Sequence, residues 1–110
     1  MQINGQVRHT IKKVSGLKYE IQDDDYTLLI DSGKQGIKVI LPAAANNEGR
    51  VLVLKKLNAD KYKLNSSAIK VLTLEGTIDI SEEMIIKMNY SSRTVQSDGE
   101  NWWIIGSKGT

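Results

Sequence analysis

Two adjacent tryptophans, Trp102 and Trp103, are the residues of this chain best suited to contact a ligand. Successive side chains of a β-strand point to opposite faces, so one indole is expected to pack in the core while the other faces outward. An outward aromatic ring suits either a sugar ring or a second subunit. The sequence leaves both interpretations open, because it places no convergent set of polar side chains beside the ring.

Two acidic runs, residues 23–25 and 82–83, supply carboxylates that could ligate a cation or assist hydrolysis. The run Asp23-Asp24-Asp25 lacks the alternating spacing of a calcium-binding loop, so we expect a solvated turn there. Glu82-Glu83 is interpreted as an exposed loop or the start of a turn, since glycoside hydrolysis needs two carboxylates across a cleft. Neither run therefore predicts a catalytic site or a metal site.

His9 is the single histidine, and the chain has no cysteine. A histidine-based metal site and a histidine-assisted nucleophile both lack the partners they need. We therefore expect a protein that is not an enzyme and that has no cofactor. Lysines at 55, 56, 61 and 63 form a local basic stretch, which we interpret as protection of a strand edge against aggregation rather than as an anion-binding surface.

Length and charge limit the classes of partner. The 110 residues fit one domain, and the 15 basic and 13 acidic residues are spread along the chain with a net charge of +2. This even distribution argues against a nucleic-acid partner. We find neither a signal-peptide core nor an apolar run long enough for a bilayer, so we expect no membrane partner and synthesis in the cytoplasm.

Short segments rich in Ile, Leu and Val, separated by Gly, Asn and Ser, predict an all-β fold. Their spacing is typical of a compact antiparallel β-sandwich or jelly-roll-like domain over residues 21–110, preceded by an N-terminal arm or attachment segment over residues 1–20. Residues 26–31 and 37–41 are expected to form one hairpin, and Asp98-Gly99 the turn of a terminal hairpin. The predicted strands cover residues 26–31, 37–41, 50–56, 62–64, 69–74, 77–80, 84–89, 93–97 and 102–105.

Several predicted strands are apolar on both faces. Consecutive apolar residues occur in Val51-Leu52-Val53-Leu54, in Met84-Ile85-Ile86 and in the segment after Asn101. Because a two-layer domain covers one face of each sheet, the second face is covered either by a loop packed outside it or by another subunit, and we expect an oligomer. The candidate interface or ligand contacts are Leu52, Leu54, Ile85, Trp102 and Trp103.

Three separated segments together resemble the small β-module of bacteriophage tail-fibre, tail-spike and head-fibre proteins. They are the strand ending in Leu41-Pro42-Ala43, the loop closed by Gly49-Arg50 before a strand ending in Lys, and the final Ser97-Asp98-Gly99-Glu100-Asn101-Trp102 turn. The similarity covers roughly residues 26–105. In this chain Ile78-Asp79-Ile80 stands where the module usually has Ile-Asp-Gly.

The resemblance implies a non-enzymatic structural protein of a tailed-phage virion, built as a homotrimer. Fibre proteins are usually much longer, so a chain of 110 residues fits a head fibre, a capsid decoration or a tail accessory component. The N-terminal arm, with Val7 and Ile11 as candidate contacts, is then expected to attach the module to other virion proteins. The alternative is a carbohydrate-binding module that adheres to a bacterial surface glycan through an outward tryptophan.

Overall fold

The computed structural model describes residues 8–57 and 67–109, and β-strands dominate both ranges. A 3₁₀ turn spans Ala44–Asn46, and within these ranges no helix has the length and apolar character needed to cross a bilayer. The strands are β1 (Ile11–Val14), β2 (Lys18–Glu20), β3 (Thr27–Ile30), β4 (Ile37–Leu41), β5 (Val51–Lys56), β6 (Ile69–Thr73), β7 (Glu83–Ile86), β8 (Ser92–Ser97) and β9 (Trp102–Lys108).

The chain winds back and forth between two sheets. Strands β1, β3 and β5 lie side by side and parallel in a five-stranded sheet, while β2, β4 and β6 do the same in a four-stranded sheet. Each turn of the chain thus adds one strand to each sheet, as in a short two-sheet coil. Antiparallel strands complete the sheets, with β7 beside β6 and the β8–β9 hairpin beside β5.

Inward side chains of both sheets form one apolar core. Leu52 and Leu54 of β5, Val39 of β4 and Val71 of β6 are all fully buried in it. Each such side chain contributes roughly 1.5–3 kcal/mol of hydrophobic stabilisation. Trp102 is the largest fully buried residue of the described ranges, so it anchors the last hairpin in this core.

The all-β prediction is confirmed, but the antiparallel arrangement is wrong for much of the molecule. Of the strand pairings between described residues, four are parallel and three are antiparallel. The expected hairpin of residues 26–31 with 37–41 does not form, because β3 and β4 belong to different sheets. The terminal hairpin is confirmed, with Gly99 at φ +95° in its turn. Predicted strand 62–64 lies outside the described residues.

The predicted strand over residues 77–80 is instead a tight turn. Ile78 and Ser81 exchange backbone hydrogen bonds of 2.8 and 2.9 Å, which closes a two-residue loop. Its central residues, Asp79 and Ile80, have φ of +50° and +68°. Positive φ at both central positions is the mark of a type I′ turn, for which glycine is favoured at the second of them. Ile80 therefore occupies a position suited to glycine, and it is 82% exposed.

Candidate functional site

The segments that carry the resemblance meet in a hydrogen-bonded cluster, which we call the joint: Pro42, Ala44, Gly49, Ser97 and Trp102. The Trp102 indole Nε1–H donates to the Pro42 carbonyl at 3.0 Å, and the buried Ser97 hydroxyl donates to the Ala44 carbonyl at 2.8 Å. The Gly49 N–H donates to the Ser97 carbonyl at 2.8 Å. These bonds satisfy polar groups that the core would otherwise leave unpaired, so the joint ties the loop after β4 to the last hairpin.

Asp98 organises the turn at the tip of that hairpin. Its Oδ1 accepts hydrogen bonds of 2.8 Å from the backbone N–H groups of Glu100 and Asn101, which is an Asx-type turn. Its Oδ2 accepts a bond of 2.8 Å from the indole Nε1–H of Trp103. These donors, the Asn101 N–H foremost, lower the pKa of the Asp98 carboxyl because they favour its charged form.

Trp103 is consequently an exposed ring held in one orientation. It lies on the outer face of the five-stranded sheet, is 38% exposed and is opposite Gln96, which is itself opposite Val51. The bond to Asp98 fixes the indole, so little conformational entropy remains to be lost when a planar ligand or a subunit covers it. The two tryptophans thus divide as predicted, with Trp102 inside and Trp103 outside.

Asp25 forms a buried polar centre, which corrects the prediction of a solvated turn at this residue. Its side chain is inaccessible to solvent and accepts hydrogen bonds from Tyr19 Oη at 2.6 Å and the Gln22 N–H at 2.8 Å, while Lys12 Nζ lies 2.8 Å from Oδ1. Burial raises the pKa of Asp25, but the bonds from Lys12, Tyr19 and Gln22 outweigh that effect and lower it. Burial, followed by the bond to Asp25, raises the pKa of Tyr19. Asp23 and Asp24 remain exposed.

Arg50 connects this centre to the joint, where its carbonyl accepts a hydrogen bond of 3.1 Å from the Ser97 N–H. Its guanidinium donates to the carbonyls of Gln22 at 2.6 Å and Asp25 at 3.0 Å, and to Oδ1 of Asn47 at 3.1 Å. The planar fork of an arginine allows several such bonds at fixed geometry. The Gly-Arg pair of the resemblance therefore performs a structural task, since it clamps the turn before β3 against the start of β5.

Lys56 is buried, which corrects its interpretation as an edge residue. Strand β5 is central in its sheet, and Lys56 is 1% exposed with its Nζ donating to Oδ1 of Asn89. Burial lowers the pKa of Lys56, and the nearby Asp31 partly opposes that shift. Lys55 lies on the same central strand, so it is not on an edge either, and its side chain points outward and is half-buried. Lysines 61 and 63 lie outside the described residues.

The structure separates the predicted contact residues into three groups. Leu52, Leu54 and Trp102 are fully buried in the core, so their outward neighbours Val51, Val53 and Trp103 form the outer surface of that sheet. Ile85 lies on the outer face of the four-stranded sheet, and Ile11 is 66% exposed on β1, the terminal strand of the other sheet among the described residues. Val7 lies outside the described residues.

The other candidate residues have local partners. His9 stacks on Tyr26 with ring centroids 3.9 Å apart, and Glu83 belongs to β7, where it lies 3.4 Å from Lys70. Glu82 is exposed. Within the described ranges, no group of three or more His, Asp or Glu residues is arranged to hold a metal ion.

The fold and these contacts define an all-β protein of two mixed sheets, in which the turns at Gly49-Arg50 and Asp98-Gly99 have structural roles. No protein-family model matches the chain, and no curated protein matches it.

Proposed function

We propose that this chain is a non-enzymatic structural component of a tailed-phage virion: a sandwich-like module that assembles as a homotrimer and is attached through residues 1–20. The observation that supports this is the joint. Segments separated by tens of residues resemble parts of phage fibre modules, and here they contact one another through Trp102, Ser97 and Arg50. A resemblance spread over the sequence is therefore concentrated in one structural unit.

The N-terminal end offers a place for attachment. Among the described residues, strands β1 and β2 are terminal strands of the two sheets, at the same end of the coil. A free edge presents unpaired backbone donors and acceptors, to which an extended segment of another virion protein can add as a further strand. Ile11 on β1 provides an exposed apolar contact beside that edge.

Substitution tests the attachment without removing β1 and β2 from the fold. Ile11→Lys places a charge beside the edge and is expected to abolish binding of the purified protein to particles lacking it. Leu74→Lys is the matched control, because Leu74 is also 66% exposed but lies in the loop after β6. Equal particle binding by both variants would show that the edge of β1 is not the attachment site.

The outer face of the five-stranded sheet supports the trimer. Val51 and Val53 of β5 and Trp103 of β9 are directed outward and are only partly covered within one chain. Subunits that bury this face would gain hydrophobic stabilisation in proportion to its area. Light scattering after size-exclusion chromatography is expected to give a trimer mass at several concentrations, and Val53→Lys a monomer. A wild-type monomer throughout would refute the trimer.

Location in the virion is tested directly. Antibody raised against the purified chain should label particles banded from a lysate of the source culture, in immunogold electron microscopy and in blots. The position of the label distinguishes a head fibre or decoration from a tail component. Label confined to the soluble fraction would overturn the assignment.

The fixed ring of Trp103 favours a second candidate, a carbohydrate-binding module for a bacterial surface glycan. Asp98 holds the indole in place, and Gln96 beside it supplies a polar group. A glycan array should then show signals that Trp103→Ala removes and Ile105→Ala, which changes another exposed residue of β9, retains. An array without signals, or an unaffected Trp103→Ala variant, would exclude this candidate.

A further inference from the structure

Three lysines form a row across the outer face of the four-stranded sheet, which we call the lysine row: Lys18, Lys38 and Lys70. They lie on β2, β4 and β6, and the strand register pairs Lys18 with Lys38 and Lys38 with Lys70. Neighbouring strands are about 4.8 Å apart, so the row presents positive charges at that interval. All three residues are exposed.

The lysine row is unfavourable for the isolated fold. Like charges directly opposite one another on adjacent strands are destabilising. Glu20 lies 3.6 Å from Lys18 and Glu83 lies 3.4 Å from Lys70, but within the described ranges no carboxylate lies within ion-pair distance of Lys38. Both ion pairs are exposed and therefore weak, so an external anion can compete with them.

Protection of a sheet edge could account for Lys18, which lies on the terminal strand β2, but it does not explain Lys38 and Lys70. Lysine is common on edge strands because it discourages pairing with other chains. Strands β4 and β6, however, are the two central strands of their sheet, and β2 and β7 flank them. Lys38 and Lys70 thus occupy positions where this device has no use.

A groove runs beside the lysine row. It has a volume of about 360 Å³ and is lined by Lys38 and Lys70 together with the apolar side chains of Leu17 and Ile85. A second depression of about 320 Å³, which includes Lys34, shares Leu17 and Gly36 with the first. The two depressions together form a trough whose walls carry lysines and aliphatic side chains, with one carboxylate, that of Asp31, in the second depression.

We propose that this trough binds an extended acidic polysaccharide, with the lysine row pairing with carboxylates that recur along the sugar chain. Leu17 and Ile85 then contact the apolar faces of the sugar rings. Lysine acts as a point charge suited to single carboxylates, whereas bidentate phosphate recognition favours arginine. The outward positions of these four strands, all described, include no aromatic residue on which a nucleic-acid base could stack. This face is separate from Trp103, so the inference does not rest on the proposed function.

The test measures binding of alginate oligosaccharides, which carry one carboxylate per sugar, to the full chain by calorimetry at low salt. We expect binding that weakens as salt is raised, and no binding of neutral dextran. Lys38→Gln and Lys70→Gln should each weaken it roughly five-fold, and together about 25-fold, as is typical of lysines beside an anionic surface. Melting curves check that the exposed substitutions leave the fold intact.

The matched control is the double variant Lys13→Gln/Lys55→Gln. It changes net charge equally but lies on the outer face of the other sheet, where both lysines are opposite Leu29. Retained binding by this control supports a defined site, whereas an equal loss in both double variants would show a general charge effect and overturn the proposal. Absence of alginate binding, or tighter binding of single-stranded oligo-dT at the same salt, would overturn it as well.

Discussion

Replacing Ile80 by glycine is expected to stabilise the fold, although the substitution removes an apolar side chain. Ile80 has φ of +68° in the turn between Ile78 and Ser81. A left-handed conformation costs an L-residue roughly 1–2 kcal/mol, and a β-branched side chain belongs at the upper end of that range. Glycine avoids this cost but loses about 0.5–1 kcal/mol of conformational entropy on folding. Because Ile80 is 82% exposed, little burial is lost.

The net expectation is a gain of about 1 kcal/mol, which corresponds to a melting temperature roughly 4–6 °C higher for a domain of this size. Thermal and urea unfolding of a series at position 80 measure it. Stability should follow tolerance of positive φ, with glycine first, asparagine next, then alanine, and valine close to the wild type. Ile11→Gly is the control, since Ile11 is also exposed but lies in strand β1, and this variant should be less stable than wild type.

A series that instead followed apolar side-chain area, with glycine least stable, would refute the reasoning. It would show that contacts of Ile80 within the chain outweigh the backbone strain. Backbone strain at an exposed residue, which no contact within the chain explains, suggests that the residue contacts another protein in an assembly. If Ile80→Gly stabilises the single chain, loss of particle attachment or of the trimer by the same variant would identify Ile80 as a contact residue.

Three further predictions concern the buried polar groups. Because the pKa of Asp25 is lowered in the folded state, its contribution to stability is present above the ordinary aspartate pKa and is lost as pH falls through the folded value. Asp25→Asn should therefore lower the free energy of unfolding, measured by urea titration at pH 7, by about 1.5–3 kcal/mol. The difference between the variant and the wild type should vanish in acid. Trp102→Phe should lower the free energy of unfolding by about 2–3 kcal/mol, since it removes packing and leaves the Pro42 carbonyl with only the Thr73 hydroxyl, at 3.2 Å, as a donor. Trp103→Phe should change the free energy of unfolding by less than about 0.5 kcal/mol. Lys56→Met should be neutral or stabilising at pH 7. The pKa of Lys56 is lowered in the folded state, so the unfolded chain binds more protons at pH values just below the ordinary lysine pKa. Raising the pH in that range should therefore increase the stability of the wild type relative to the variant. A pH-independent difference between the two would contradict this.

Local patterns in the sequence predicted the parts of the fold that depend on neighbouring residues. Branched apolar segments gave the strands, Asp98-Gly99 gave the last turn, and alternation on one strand separated Trp102 from Trp103. Each of these follows from the conformational preference of a few adjacent residues. The polar centre at Asp25 was beyond this reasoning, because its partners Lys12 and Tyr19 are assembled by the packing of the coil.

The parallel coil was missed because its turns have unequal lengths. Paired residues Ile11 and Thr27 are 16 residues apart, while Thr27 and Val53 are 26 apart, so the sequence has no period that would indicate a repeat. Hairpin reasoning then pairs strands that are adjacent in sequence. The runs that are apolar on both faces carry a signal of parallel pairing, since parallel strands typically show such runs, and so they are not specific for an oligomer or a covering loop.

Parallel coiling also explains how ordinary-looking residues become candidate recognition surfaces. In-register strands place side chains from distant positions in straight rows at the strand spacing of about 4.8 Å. Lys18, Lys38 and Lys70 form such a row on one sheet, and Thr27, Val53 and Thr94 form another on the opposite sheet. Rows of this kind match ligands that repeat along a line, and a glycan chain is such a ligand. The even distribution of charge along the sequence does not reveal such a row, because the three lysines are far apart in the sequence and the fold brings them together.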